Sequence, residues 1–289
     1  MEPAALSFLR SMYDAPAREY PSPPRPEAEL VARIAAGGPA LVALSGGVDS
    51  SVVAALAHEA LGSRAIAVTL EGPAVARAEV ERARRVARSI GIGHTVLSVD
   101  PLEREEYRAN PSDRCYWCRA VETTRLRAFG SRQHVVQYLD GVQVDDLSDD
   151  RPGLRAMNEA GFLHPLVWGG WSKSTVRDSA RRRGLPNWDQ PSDACLASRV
   201  AHGEPITPDL LRRIEAAEGV LLARGFRRVR VRVSRGTARI EVGSDEVDRA
   251  VAAPLAAVII GEVRRFGFDR VTIDPRGYRG GSRELPVVR

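Results

Sequence analysis

Lysine is all but missing from this sequence: Lys173 is the single one among 42 basic residues. The arginine excess reads as coding bias for surface positions, and it leaves Lys173 to be accounted for. Cysteine is scarce too. Cys115, Cys118 and Cys195 make three, and an odd count without a secretory leader argues against a disulfide framework. Met1-Glu2-Pro3 shows no basic start running into an apolar core, so the expectation is a cytoplasmic protein whose free thiols serve packing, metal binding or chemistry. No apolar run approaches the roughly 20 residues of a membrane span, so no membrane partner is expected. Nor is there a dense basic tract or an RNA-binding signature. Nucleic acid is therefore not favoured, although a formal net charge of +5 suits anionic ligands such as nucleotides, phosphates or RNA.

What is present is ordinary for a globular chain. Over 289 residues, 44% are hydrophobic and 27% charged, enough for one large domain or two smaller ones. Residues 1–26, rich in proline and charge, read as a flexible lead-in. Apolar runs at Ala40–Leu44, Ala65–Leu70, His94–Val99 and His134–Leu139 alternate with helical patterns over Glu27–Ala36, Val52–Leu61 and Ala76–Ile90. That alternation predicts βαβ units around a parallel sheet, an α/β fold. Further helices are expected after Arg151-Pro152-Gly153 and over Lys173–Arg183, with Phe162–Val167 extended and Gly141–Asp150 an acidic loop. Pro186–Pro208 has no periodicity, and long irregular loops in compact domains are usually functional. From Pro208 the pattern changes to a helix, two period-two strands (Arg227–Val233 and Ala238–Val242), a helix over Leu255–Phe266 and a strand at Val271–Ile273. The expected organisation is a nucleotide domain over 27–204 and a smaller α+β domain over 205–289 with an antiparallel sheet.

The first strand runs into Ser45-Gly46-Gly47-Val48-Asp49-Ser50-Ser51. Two glycines allow a tight turn and a close approach to a ligand, and the following helix points its N–H groups and positive dipole end back at the turn. The loop has neither the Walker A spacing nor the dinucleotide fingerprint. It resembles the pyrophosphate loop (PP-loop) of the ATP pyrophosphatase superfamily, which implies an adenine-nucleotide α-hydrolase-like domain that cleaves ATP between the α and β phosphates. By that resemblance Ser45, Gly46, Gly47, Ser50 and Ser51 cradle pyrophosphate and Asp49 holds Mg2+. The other reading is a strand-to-helix turn whose Ser and Asp only cap the helix.

Further blocks narrow the likeness. Asp113-Arg114-Cys115-Tyr116-Trp117-Cys118, Gly141 with Asp145-Asp146, His164-Pro165-Leu166, Lys173 with Val176-Arg177, Ala194-Cys195-Leu196-Ala197-Ser198-Arg199, Arg230-Val231-Arg232, Ala238–Val242 and Gly277-Tyr278-Arg279 with Gly281-Ser282 resemble LarE-type sulfur transferases, in order, from about Leu41 to Ser282. The resemblance implies ATP-dependent sulfur insertion in assembly of the nickel-pincer nucleotide. Its small, nucleotide-like substrate is pyridinium biscarboxylic acid mononucleotide. A carboxylate is adenylated and becomes a thiocarboxylate. In the sacrificial version the sulfur comes from the enzyme's own cysteine, here Cys195, which ends as dehydroalanine. Homo-oligomeric rings occur in the family. Two departures stand out: Gly141-Val142-Gln143 replaces the usual Gly-Thr-Asn, and Arg283-Glu284 replaces Met-Asn.

The residues suit that chemistry. A thiolate is a strong nucleophile when nearby cations lower its pKa, and Arg199, Arg230 and Arg232 are candidates either to stabilise it or to clamp a phosphate and carboxylates bidentately. Lys173 is a candidate for the ATP phosphates, its alternative being an exposed helix lysine. Cys115 and Cys118 are spaced as two ligands of one metal. With Cys195 they make three thiolates, enough to hold a 4Fe–4S cluster carrying the donated sulfide; the other reading is two cysteines packed at a helix start. Asp145 and Asp146 are either Mg2+ ligands or solvated carboxylates. Two other functions stay open: a tRNA thiolase of the same superfamily, and a non-catalytic ATP-binding regulator, against which Cys195 argues.

Overall fold

The structure is a computed structural model and describes residues 21–147, 151–191 and 194–279. By their contacts these residues form two compact units. The first comprises 21–72, 77–101 and the described part of 113–191; the second comprises 73–76, 102–112 and 194–279.

The first unit holds the parallel sheet. Helix α1 (Glu27–Gly37) leads into strand β1 (Ala40–Ala43), followed by α2 (Val48–Leu61), β2 (Ala65–Glu71), α3 (Arg77–Ile90) and β3 (Gly93–Ser98). Then come α4 (Arg114–Arg132), β4 (Gln137–Leu139), α5 (Pro152–Glu159) and α6 (Lys173–Arg182). The strand order is β3-β2-β1-β4, every pair parallel. Leu41 pairs with Ile66 on one side and Tyr138 on the other. An apolar run buried on both faces is what a central parallel strand requires. Alternate β1 residues serve opposite layers. Ala40 and Val42 pack with α1, α2, α3 and α6 through Ile34, Val52, Leu56, Val86 and Val176. Leu41 packs the other way, with Leu126, Met157 and Phe162 of the α4–α5 side. Burial of each such side chain stabilises the unit by about 1.5–3 kcal/mol.

The connections from β1 lead outward through β2 to β3, whereas β4 lies on the other side of β1. The order thus reverses at β1, and the crevice beyond the carboxyl ends of β1 and β4 is a topological switch point, where open α/β sheets bind ligands.

Several expectations needed correction. The helix after the glycine loop begins at Val48, not Val52, so Asp49, Ser50 and Ser51 belong to its first turn. Residues 162–167 are not a strand: Leu163 forms a single bridge to Leu139, and Pro165–Trp168 is a helical turn begun by Pro165, a residue well suited to a helix start. Of the lead-in, residues 1–20 lie outside the described residues. Residues 21–26 are tied down, with Arg25 N donating to the Gly169 carbonyl and Trp171 Nε1 to the Arg25 carbonyl. Residues 148–150 of the acidic loop and 280–284 of the terminal motif also lie outside the described residues.

In the second unit α7 (Pro208–Leu222) starts with Thr207 accepting from Leu210 N and buries Leu211, Ile214 and Leu221. Strands β5 (Val229–Ser234) and β6 (Thr237–Val242) are antiparallel. They join through Arg235 and Gly236, both at positive φ, the twist a two-residue hairpin needs. Helix α8 (Leu255–Arg264) then returns the chain so that β7 (Arg270–Ile273) runs parallel to β6. The small sheet is therefore mixed rather than antiparallel: a helical crossover, not a hairpin, makes the second connection.

Candidate active site

The glycine loop sits at the carboxyl end of β1. Leu44 still pairs with Val68, its N–H donating to that carbonyl at 2.9 Å. Gly46 then takes φ +79°, and a Cβ there would lie 2.9 Å from the backbone of Glu79 and Ala83 on α3. Only glycine allows both the conformation and the close approach. Ser45 N donates to Ser50 Oγ at 3.2 Å, and Gly47 N to Ser45 Oγ at 3.3 Å. Ser50 and Ser51 both donate to the Gly47 carbonyl, at 3.1 and 2.7 Å. Ser45, Gly46, Gly47, Ser50 and Ser51 are thus brought together as a wound turn, with the N–H groups of the first turn of α2 at its mouth.

Lys173 comes to the same place. It opens α6, and its Nζ lies 2.5 Å from Asp49 Oδ2. Its backbone N–H donates to Asp145 Oδ2 at 2.9 Å, so Asp145 caps α6. Asp146 is held by Arg151 Nη1 at 2.6 Å and by Gln143 N at 3.2 Å. Burial pushes the Asp49 carboxyl up from its ordinary value, against the opposing pull of Lys173. Asp49 Oδ1 is buried and has no hydrogen-bond partner among the described residues. An unused carboxylate oxygen at an anion-binding turn is the kind of hard donor Mg2+ takes. No group of three or more His, Cys, Asp or Glu among the described residues is placed to hold a metal ion. Mg2+ at Asp49 would then draw its other ligands from phosphate oxygens and water, as this ion usually does.

Cys195, in the second unit, is partly exposed and precedes a 3₁₀ turn over Leu196–Arg199. Arg199 does not project as a free clamp. It is buried, donating from Nε and Nη2 to the two carboxylate oxygens of Glu218 at 2.8 and 3.0 Å. Its Nη1 donates to the carbonyls of Ala194 and Cys195 and to Ser198 Oγ. The guanidinium therefore holds the backbone of the Cys195 turn. Arg230 and Arg232 share one face of β5, as their spacing requires. Arg232 Nε pairs with Glu241 at 2.8 Å, and Glu241 also takes Arg239 at 2.9 Å. Arg230 donates to the Val229 carbonyl and stands 5.5 Å from the Tyr278 ring.

Cys115 and Cys118 lie one turn apart at the start of α4. Cys115 is exposed, and Cys118 Sγ donates to Glu122 Oε1 at 3.3 Å. Among the described residues the side chains give no support to a 4Fe–4S cluster, one of the two readings of these cysteines.

Two contributors had no signal in the sequence. Asn187, in the aperiodic stretch, donates to the Gly46 carbonyl at 2.8 Å and to Ser51 Oγ at 2.9 Å. Glu218 lies on a helix whose pattern marks it only as one more polar residue. Gly141 does stand in one of the motif blocks, and the fold supplies its packing reason. A Cβ there would lie 2.5 Å from Ser50 N, so its absence lets the end of β4 meet the loop.

Residues 28–124 match the asparagine synthase family model. The chain is 38% identical over 243 residues to an uncharacterized protein of Synechocystis sp., covering 84% of this chain and 91% of that protein. It is 31% identical over 251 residues to the pyridinium-3,5-bisthiocarboxylic acid mononucleotide synthase of Lactiplantibacillus plantarum, covering 83% of this chain and 87% of that protein. A shorter stretch of 79 residues, 23% of this chain, is 40% identical to the tRNA-specific 2-thiouridylase MnmA of a Wolbachia strain, of which it covers 21%.

Proposed function

The chain belongs to the LarE-type sulfur transferases, ATP-using enzymes of the PP-loop superfamily, and from that premise we propose a substrate, a sulfur source and residue roles. The substrate is pyridinium-3,5-biscarboxylic acid mononucleotide, by likeness to the Lactiplantibacillus plantarum synthase. The observation that most supports ATP activation is the meeting of Lys173 and Asp49 over the glycine loop at 2.5 Å, with Asp49 Oδ1 left unused.

A substrate carboxylate attacks the α phosphorus of ATP, the α–β bridge bond breaks, and pyrophosphate leaves. The loop and the N-terminus of α2 receive that pyrophosphate, and Lys173 offsets its charge as a point cation. Mg2+, when bound, supplies charge neutralisation on the phosphate oxygens. The Cys195 thiolate then attacks the acyl carbon, and AMP departs with its electron pair. Loss of the Cys195 Cα proton to a base breaks the Cβ–S bond, which leaves dehydroalanine on the enzyme and the thiocarboxylate on the substrate. Arg199 holds the Cys195 turn from within, whereas Arg230, buried on β5 beside Tyr278, and Arg232, already paired with Glu241, are the cations assigned to the substrate's phosphate or remaining carboxylate.

Pyrophosphate release tests the substrate. With ATP and Mg2+, release stimulated by the biscarboxylate mononucleotide and indifferent to tRNA supports the proposal. Release stimulated by tRNA alone would replace it with a tRNA thiolase.

A further inference from the structure

Asn187 lies five residues beyond the end of α6, in a stretch without regular structure, yet it is only 3% exposed. Its Nδ2 faces two oxygens, the Gly46 carbonyl at 2.8 Å and Ser51 Oγ at 2.9 Å. A carbonyl oxygen only accepts, so the atom facing it carries hydrogens, and this settles which way the amide points. Ser51 gives its own hydroxyl hydrogen to the Gly47 carbonyl at 2.7 Å, which leaves a lone pair for Asn187. One amide group therefore secures two successive carbonyls of the loop, that of Gly46 directly and that of Gly47 through Ser51.

The geometry has a consequence for the phosphates. A peptide unit is planar, with its carbonyl and N–H on opposite sides. Drawing the Gly46 carbonyl inward turns the Gly47 N–H outward, where it meets Ser45 Oγ. The amide's oxygen, Asn187 Oδ1, is buried without a hydrogen-bond partner among the described residues. Burying an unpaired amide oxygen is unfavourable, and a leucine would fill the space without that penalty. What leucine lacks is the pair of donors.

We infer that Asn187 is a positioning residue for the pyrophosphate loop: by fixing the Gly46 and Gly47 peptide planes it keeps the Gly47 N–H on Ser45 Oγ and holds the loop in the shape that receives the β and γ phosphates of ATP. The inference rests on the loop being the pyrophosphate cradle of the proposed reaction.

Calorimetric titration of the full chain with Mg-ATP and, separately, with AMP tests it. Asn187→Ala weakens Mg-ATP binding about tenfold to a hundredfold, through two lost hydrogen bonds, while AMP stays within about twofold. Asn187→Leu, which fills the space but carries no donors, weakens Mg-ATP to a similar extent, again sparing AMP. Equal weakening of Mg-ATP and AMP, or unchanged Mg-ATP binding in Asn187→Ala, overturns the inference. Should Asn187→Ala not fold, Asn187→Leu decides: unchanged Mg-ATP affinity overturns it. A wild-type protein that binds AMP but gains nothing from the added phosphates overturns the cradle itself, a separate result.

Discussion

Lys173 is the residue whose surroundings say most about its task. Its Nζ sits against a half-buried carboxyl that burial pushes up and that this cation pulls down. Replacing it has a predictable sign. In Lys173→Met the pull is gone, the Asp49 carboxyl rises further, and less of it is ionised at any given acid pH. The acid limb of kcat/KM for Mg-ATP then moves to higher pH, and the plateau falls about a hundredfold, the scale of one lost charge-stabilising donor. A pH–rate profile checks both; an unmoved limb would mean that Asp49 ionisation does not govern ATP use. Cys195 makes a different prediction. Cys195→Ala retains substrate-dependent pyrophosphate release but forms no thiocarboxylate, because adenylation precedes the thiol's part. Product formed at the wild-type rate by this variant would remove Cys195 from the chemistry.

At the scale of elements, the loop depends on a glycine that packs against α3. Gly46→Ala places a Cβ against the Glu79 and Ala83 backbone at 2.9 Å and forces φ +79° on a residue with a side chain. The conformation alone costs about 1–2 kcal/mol, so thermal unfolding shifts down by several degrees and Mg-ATP binding is lost. A variant with unaltered melting and binding would show that the turn is not as tight as described. The strands of the parallel sheet were legible because unbroken apolar runs have few alternatives inside a protein. The helix start at Val48 was not, since Asp49, Ser50 and Ser51 read as cap residues when they are in fact its polar first turn. The helix before β7 was legible, but its parallel direction was missed, because the three residues Val271-Thr272-Ile273 say nothing about direction. Arg199 was legible as important but not as buried: its partner Glu218 is 19 residues away on α7, and a pairing at that range leaves no local pattern. Asn187 left no mark for the same reason.

At the scale of the whole molecule, the second unit is not one continuous stretch. It includes 73–76, 102–112 and the turn carrying Cys195. Asn110 donates from Nδ2 to the carbonyls of Ala201 and Glu204, and Val200 bridges to Val233. A fragment of residues 205–289 therefore lacks Arg199 and leaves Glu218 buried and without that partner, which costs about 3–5 kcal/mol. Such a fragment gives a broad, non-cooperative melt by circular dichroism; a sharp transition would contradict the assignment. Acid stability has its own marker. Arg276 holds the Asp274 carboxyl below its ordinary 3.8. A lowered folded value means the stabilisation is complete above that ordinary pKa and is lost as pH falls toward the folded one. Asp274→Asn lacks that acid-side fall, and melting temperatures measured from mildly acidic pH down through the ordinary carboxylate range would reveal it.

The central claim, that Cys195 gives its own sulfur to an ATP-activated carboxylate, is tested most directly by intact and peptide mass after one turnover. The protein is incubated anaerobically with ATP, Mg2+ and the biscarboxylate mononucleotide. The account predicts that the protein loses the mass of one hydrogen sulfide, mapped to Cys195 and matched by one thiocarboxylate formed. Thiocarboxylate produced with the Cys195 mass unchanged would contradict it and place the donated sulfur elsewhere.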